Sequence, residues 1–260
     1  KDLKPMQINK VEDAIKNLID VFFEAGKLSL KLRSKGLIEH IKKDKTPVTN
    51  GDIEVNNIIL NSLKKITPDI PIVSEETPEN KNLNLETFWL VDPIDGTYDY
   101  IHNRDEFTLN AGLIINKEAI AGIIYAPGKN RMFYSFGNKL SYELKNKKEK
   151  IINNKKIDKD NIKAVSYSNN LKPEIKEIHN QLNVKEYVKM KSSLKFCVVA
   201  TGEYQIYAAE PRAHEWDIAA GHAILKNSGG TVTDFKGNNI SYGKDGFKNP
   251  SIILKSTENI

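Results

Sequence analysis

The chain has 260 residues, 39% of them hydrophobic, with 39 basic and 34 acidic side chains giving a formal charge of +5. That length suffices for one large domain or two closely joined halves around a substantial core, and no apolar run approaches the roughly 20 residues of a membrane helix. The lysines are dispersed among Asn and Ile rather than clustered, which argues against polymeric nucleic acid and leaves a mildly basic surface suited to small anions.

The opening "KDLKPMQINK" lacks the apolar centre of a secretory signal. Ile8, Val11, Ile15, Leu18, Ile19 and Phe22 then recur at helical spacing and predict an amphipathic helix within the first thirty residues. "KKDKTPVTNGD", Lys42 to Asp52, reads as a polar, turn-rich loop. It leads into a second helix carrying Ile53, Ile58, Ile59 and Leu63, capped by Thr49 or Asn50 and ended by Thr67-Pro68. Strands are expected at Ile70–Val73, Phe88–Val91, Thr108–Ile115, Ala119–Tyr125 and Met132–Phe136, with a hairpin turn at Asn116-Lys117.

Glu143 to Lys163, rich in Lys, Asn and Asp, reads as an exposed connection with a short strand at Ile151-Ile152. It would join halves of about 1–142 and 164–260 in a single 1–260 unit. Beyond it, Ala164–Ser168 predicts a strand, Pro173–Leu182 a helix and Ser193–Thr201 a buried helix ended by Gly202. Gln205–Ala208 is a strand, Asp217–Asn227 a helix stopped at Ser228-Gly229-Gly230, and Thr231–Thr233 and Ile252–Leu254 complete a sheet. Mixed helices and hairpin-linked strands argue for a layered α/β sandwich. The single cysteine, Cys197 within "FCVV", forms no internal disulfide; it predicts a buried structural thiol and a reducing, cytoplasmic setting.

The chemistry concentrates where strands end. "SEE" (74–76) closes one apolar run and "DPIDGT" (92–97) closes another, so carboxylates gather at adjacent strand ends and repel unless a cation lies between them. Magnesium takes carboxylate, carbonyl and water oxygens. In DPIDGT, Asp92 and Asp95 can lie on one side of a bend stiffened by Pro93, with the Ile94 carbonyl facing the cation. Gly96 permits close backbone approach, and Thr97 opens a helix whose free N–H groups suit an anion. Asp52, taken alone, reads as a helix-start carboxylate. Asp217, in "EWDIAAGHAIL", is equally a cap or a ligand, and Ala219, Ala220 and Gly221 let its helix pack close to another backbone. Trp89 and Trp216 read as packing residues, and His102, His214 and His222 have no metal-ligand spacing.

From Lys43 to Thr233 these segments resemble the lithium-sensitive, magnesium-dependent phosphatase superfamily that includes the inositol monophosphatases. The resemblance implies a mixed α+β fold, a layered α/β/α/β/α sandwich. It implies two or three Mg2+ held by Glu75, Asp92, the Ile94 carbonyl, Asp95 and Asp217, with Asp52 and Thr97 polarising the attacking water and Glu75 also catalytic. Substrate would lie against Glu75, Ile94, Asp95, Gly96, Thr97 and Asp217. The chemistry implied is metal-assisted hydrolysis of a phosphate monoester without a covalent intermediate.

"SSLKFCVVATGEYQIY", "EFTLNAGLI" and "GIIYAP" are similar to the 3'(2'),5'-bisphosphate nucleotidase branch of that superfamily, implying conversion of adenosine 3',5'-bisphosphate to AMP and phosphate. Ser192 and Lys195 match the branch's S-x-x-K pattern for the phosphate that is not cleaved. Two positions depart from it: in "SYSNN" (166–170) asparagine stands where a histidine is expected after Ser-x-Ser, and Tyr98-Asp99 where Lys-Glu is usual. The alternatives are an inositol or histidinol phosphatase and a catalytically silent phosphate-binding regulator. An oligomer, and peripheral association with the cytoplasmic face of the inner membrane, are compatible with the resemblance; no anchor is encoded.

Overall fold

The computed structural model describes residues 5–153 and 155–260; residues 1–4, within the first predicted helix, lie outside them. Helix α1 is Pro5–Ser34, followed by a small hairpin of β1 (Glu39–Ile41) and β2 (Pro47–Thr49) and by helix α2 (Asn50–Ile66). Then come β3 (Ile72–Ser74), β4 (Phe88–Asp95), the short helix α3 (Thr97–Ile101), β5 (Thr108–Ile115), β6 (Glu118–Ala126), β7 (Arg131–Ser135), β8 (Ser141–Lys145) and β9 (Lys148–Ile152). The remainder is β10 (Ile162–Ser166), α4 (Pro173–Gln181), β11 (Val184–Lys189), α5 (Leu194–Ala200), β12 (Ile206–Ala209), α6 (Glu215–Asn227), β13 (Thr231–Thr233) and β14 (Ile252–Lys255).

Strands β3 to β9 form a seven-stranded sheet in sequence order, parallel between β3 and β4 and antiparallel thereafter. The second sheet has five strands in the order β11-β10-β12-β14-β13. Side chains along a strand alternate between faces, and β4 uses both. Trp89 and Val91 enter a core with Val11, Ile15 and Leu18 of α1 and Ile59 and Leu63 of α2. Phe88 and Leu90 enter another, with α5, α6, Tyr207 and Leu254. Helix α4 seats Ile175 and Ile178 against Ala208 and Ile253. The layers are therefore α1/α2, large sheet, α5/α6, small sheet, α4: the expected α/β/α/β/α sandwich.

Small residues set the spacing of the central layer. A Cβ on Gly112 of β5 would lie 2.7 Å from the Ala220 backbone nitrogen and 2.8 Å from the Ala219 Cβ, and one on Gly122 of β6 would lie 2.7 Å from the Ala220 Cα. Helix α6 thus rests directly on two glycines of the sheet, which holds Asp217, near its start, over the ends of β4 and β5. Cys197 is buried as expected, and burial pushes its thiol up.

Three features differ from the sequence reading, the first being strand β2 within the stretch read as a polar loop, paired with β1. Residues 143–152 hold more than the short strand expected at Ile151-Ile152: β9 contains it, and β8 and β9 form a hairpin that extends the large sheet. Its turn residues Asn146 and Lys147 have φ of 51° and 62°, the left-handed pair seen at Asn116 and Lys117 with 51° and 64°, as the favoured two-residue hairpin turn requires. Strand β11 was also missed, because "VKEYVK" presents only half-buried and exposed side chains at the edge of the small sheet. Among the described residues no helix is long and apolar enough to cross a membrane.

Candidate active site

The pairing of β4 with β5 breaks between Asp92, opposite Asn110, and Asp95, opposite Thr108. Pro93 has no N–H for the ladder, and the irregularity turns both aspartates toward one hollow. Asp92 is buried, and among the described residues its Oδ1 has no hydrogen-bond partner. Carboxylate oxygens of Glu75, Asp92 and Asp217 lie within 4.8 Å of one another. Burial, and then the charges of Glu75, Asp217 and Asp95, push the Asp92 carboxyl well above its ordinary range. Burial and neighbouring carboxylates raise Glu75 as well. Asp217 is pushed up to about 6 by burial and by Asp95, and Asp95 to about 6 by burial, with Lys195 pulling the other way. An orphaned buried oxygen within a cluster of acidic oxygens fits a hard divalent cation, which satisfies the first and neutralises the second.

Asp217, Asp95 and Glu75 are also held by neighbouring groups. The His214 N–H donates to Asp217 Oδ2 at 2.9 Å, so Asp217 caps α6 while facing the cluster. The Ser193 N–H donates to Asp95 Oδ2 at 2.7 Å. Ser193 Oγ in turn donates to Asn110 Oδ1 at 2.5 Å and lies 2.8 Å from Thr108 Oγ1, tying the start of α5 to β5. Lys42, from the β1–β2 hairpin, sets its Nζ 3.6 Å from Glu75 and 3.5 Å from Glu76. Glu76 is pushed up to about 7 by burial and by Glu75.

Asp52 begins α2, and its Oδ2 accepts from the Thr49 N–H at 2.8 Å and the Thr49 hydroxyl at 2.6 Å, completing a capping box. Its Oδ1 accepts from Thr97 Oγ1 at 2.9 Å. Burial raises Asp52, against the lowering pull of the Thr49 and Thr97 bonds. The Ile94 carbonyl lies 3.2 Å from the same Thr97 hydroxyl. Gly96 has a φ of 84°, which suits glycine, before Thr97 opens α3.

A cavity of about 200 Å³ runs from this cluster. Asp95 and Asp217 lie on its wall, as do Ser192, Lys195, Lys191 and Arg212. Lys195 is buried; its Nζ donates to the Ser192 carbonyl at 2.8 Å and lies 5.2 Å from the Tyr207 ring centre. Burial brings it down to about 8 despite the nearby Asp95 charge. Ser192 has a φ of 61°, and its hydroxyl donates to the Glu106 carbonyl. That proton is therefore engaged within the protein.

Sequence reasoning missed several of these groups. Arg212 lies over the Tyr167 ring, 3.5 Å from its centre, and the Tyr167 hydroxyl donates to Glu210 at 2.5 Å. "EPRAHEWD" has no spacing that marks its arginine. Lys42 sits in a loop read only as polar. Asn249 reaches the cavity from a segment without a motif. Of the histidines, His102 stacks on Tyr98, His214 on Trp216, and His222 pairs with the Tyr242 hydroxyl at 2.7 Å.

The sandwich and its carboxylate cluster define a phosphatase-type scaffold, and the chain belongs to the inositol monophosphatase family, whose family model matches residues 8–259. Among its relatives, the 3'(2'),5'-bisphosphate nucleotidase CysQ of Buchnera aphidicola is 39% identical, covering 77% of this chain and 76% of that protein. The protein of the same name from Escherichia coli K12 is 36% identical, covering 80% of this chain and 85% of its own. CysQ from Bacteroides thetaiotaomicron has a similar structure, with a TM-score of 0.80 at 27% identity, over 95% of this chain and 98% of that one. An IMPase from Thermotoga maritima shares the fold, with a TM-score of 0.73 at 22% identity over 94% and 92% of the two chains.

Proposed function

We propose that this chain is a magnesium-dependent 3'(2'),5'-bisphosphate nucleotidase that removes the 3'-phosphate of adenosine 3',5'-bisphosphate, leaving AMP and inorganic phosphate. The observation that carries the reading is one cavity whose wall carries both Asp95 and Asp217 and the cations Lys195, Lys191 and Arg212. A substrate with two phosphates suits a cavity that offers carboxylates for metal at one phosphate and cations for the other. A simple monoester uses only the carboxylates. The names of the relatives at 36–39% identity support the same substrate.

Two or three Mg2+ would be held by Glu75, Asp92, Asp95, Asp217 and the Ile94 carbonyl; when bound, such ions lower the pKa of water and stabilise charge on phosphoryl oxygens. The side chains of Asp52 and Thr97 manage the proton. Thr97 Oγ1 donates to Asp52 Oδ1, so its lone pairs are free to accept a proton from the attacking water while its own passes to the carboxylate. The raised affinity of buried Asp52 for protons suits it to that role. The phosphorus–O3' bond breaks as the bond from the water oxygen forms, the departing 3'-oxygen takes a proton from solvent water, and no protein nucleophile is needed. Lys195 and Arg212 hold the 5'-phosphate as cationic partners. The buried, lone Cys197 supports a cytoplasmic location.

A substrate panel with and without magnesium tests the reading. Phosphate release from adenosine 3',5'-bisphosphate should exceed release from inositol 1-phosphate and histidinol phosphate, and should cease without the metal. Faster turnover of either of the other esters would assign the chain to a different branch of the family.

A further inference from the structure

The wall of the cavity carries a polar group that the phosphates do not explain. Asn249 lies beside Pro250 on that wall and is only 7% exposed. Among the described residues, neither its Oδ1 nor its Nδ2 has a hydrogen-bond partner. Its backbone is fixed, since the Asn249 N–H donates to the Ala213 carbonyl at 3.3 Å and neighbouring Lys248 bridges to His214. The backbone thus holds Asn249 on a wall that it shares with Asp95, Asp217 and Arg212. Glu210, on the same wall, also has a buried and unpartnered oxygen, Oε2.

Buried polar groups are nearly always hydrogen-bonded, and an amide left wholly unpaired is expensive. A carboxamide needs one donor and one acceptor from its partner. Phosphate oxygens at neutral pH only accept, so they can satisfy Nδ2 but not Oδ1. Free Glu210 Oε2 makes the same demand for a donor. The nucleoside of a 3',5'-bisphosphate supplies both functions: its free 2'-hydroxyl donates and accepts, and adenine offers an amine beside ring nitrogens.

We propose that Asn249 is a specificity-determining residue that hydrogen-bonds the nucleoside portion of the substrate, distinguishing nucleotides from phosphate esters that lack it. This rests on the nucleotidase reading. The Asn249 carboxamide takes no part in the chemical step; it orients the nucleoside while the phosphates are held at either side.

The test compares the wild type with Asn249→Leu, close in shape but apolar, and Asn249→Asp, which keeps an acceptor and loses the donor. Melting curves confirm that each is folded. Substrates are adenosine 3',5'-bisphosphate, its 2'-deoxy analogue, the purine riboside 3',5'-bisphosphate lacking the exocyclic amine, and phenyl phosphate. We expect Asn249→Leu to lower kcat/KM for adenosine 3',5'-bisphosphate at least tenfold, chiefly through KM, and to leave phenyl phosphate within twofold. The penalty should shrink on the 2'-deoxy analogue if the 2'-hydroxyl is the partner, or on the purine riboside analogue if the amine is. Equal losses on all four substrates, or none, would overturn the proposal and leave Asn249 a structural residue or one satisfied by water. Failure of the wild type to act on any nucleotide, with phenyl phosphate still hydrolysed, would instead remove the nucleotidase reading beneath it.

Discussion

Thr97 and Asp52 lie 45 residues apart in sequence, yet the Thr97 hydroxyl donates to Asp52 Oδ1 at 2.9 Å while Asp52 Oδ2 caps α2 through Thr49. One carboxylate thus serves a helix with one oxygen and the hollow with the other. Substitutions separate the two roles. Asp52→Asn and Thr97→Ala should each lower kcat at least ~100-fold, the low end of what a positioned proton acceptor supplies. Thr49→Ala should cost about 1 kcal/mol of stability through the cap while changing kcat less than tenfold. Steady-state kinetics beside melting curves decide it: kcat losses that follow the loss of stability would make Asp52 a cap and nothing more.

The carboxylate cluster sets activity against metal-free stability. Glu75 and Asp217, together with Asp95, repel Asp92, so Asp92→Asn should melt higher than the wild type in chelator. In saturating magnesium the order should reverse. A ligand at a hundred times its Kd stabilises by about 2.7 kcal/mol, or roughly 5–10 °C for a chain of this size. The wild type should gain on that scale and Asp92→Asn almost nothing. Turnover by the variant should be abolished. A metal-dependent melting shift preserved in Asp92→Asn would place the ion elsewhere.

Much of this site was legible because its residues fall in short, dense motifs. DPIDGT carries Asp92, Asp95 and Thr97 through one bend, and Ala219-Ala220 announced the close approach of α6 that Gly112 and Gly122 complete. Asp52 and Asp217 looked like helix-start residues because they are: both bond a backbone N–H at the start of their helices, and only tertiary placement reveals the second oxygen. Arg212 and Asn249 were invisible because each comes from a loop, and their meeting at the cavity depends on how β12 and β14 pair. The β8–β9 hairpin was readable in principle. Its Asn146-Lys147 repeats the turn at Asn116-Lys117, but solvated flanking strands lack the apolar alternation that gave β5 and β6 away.

Lys195 should act on binding more than on chemistry. Removing a buried charged partner from a phosphate typically costs about 1.5–3 kcal/mol, or roughly 10- to 100-fold. Lys195→Met should therefore raise KM for adenosine 3',5'-bisphosphate by that factor and leave phenyl phosphate within about twofold. Its ammonium loses its proton near pH 8, so the cation is present below that value and lost above it. The wild-type KM for the bisphosphate should rise between pH 7 and 9, and that rise should be absent in Lys195→Met. A KM profile identical in both proteins would exclude Lys195 from the phosphate.

His222 gives the fold an acid limit independent of the carboxylates. It is buried in α6 beside Tyr242, and burial, then the charges of Lys226 and Lys244, bring its pKa down to about 3. The unfolded chain protonates its histidine near 6.5, so the unfolded state binds the extra proton first as pH falls. The stability His222 contributes is therefore complete above pH 6.5 and drains away toward pH 3, at ~1.4 kcal/mol per pH unit over that window. His222→Asn, which titrates in neither state, should lose stability less steeply there and match the wild-type slope above pH 7. Between pH 6.5 and 5 the difference should amount to about 2 kcal/mol, or roughly 4–8 °C in Tm. Parallel curves for the two proteins across that range would mean that His222 accepts a proton within the folded core.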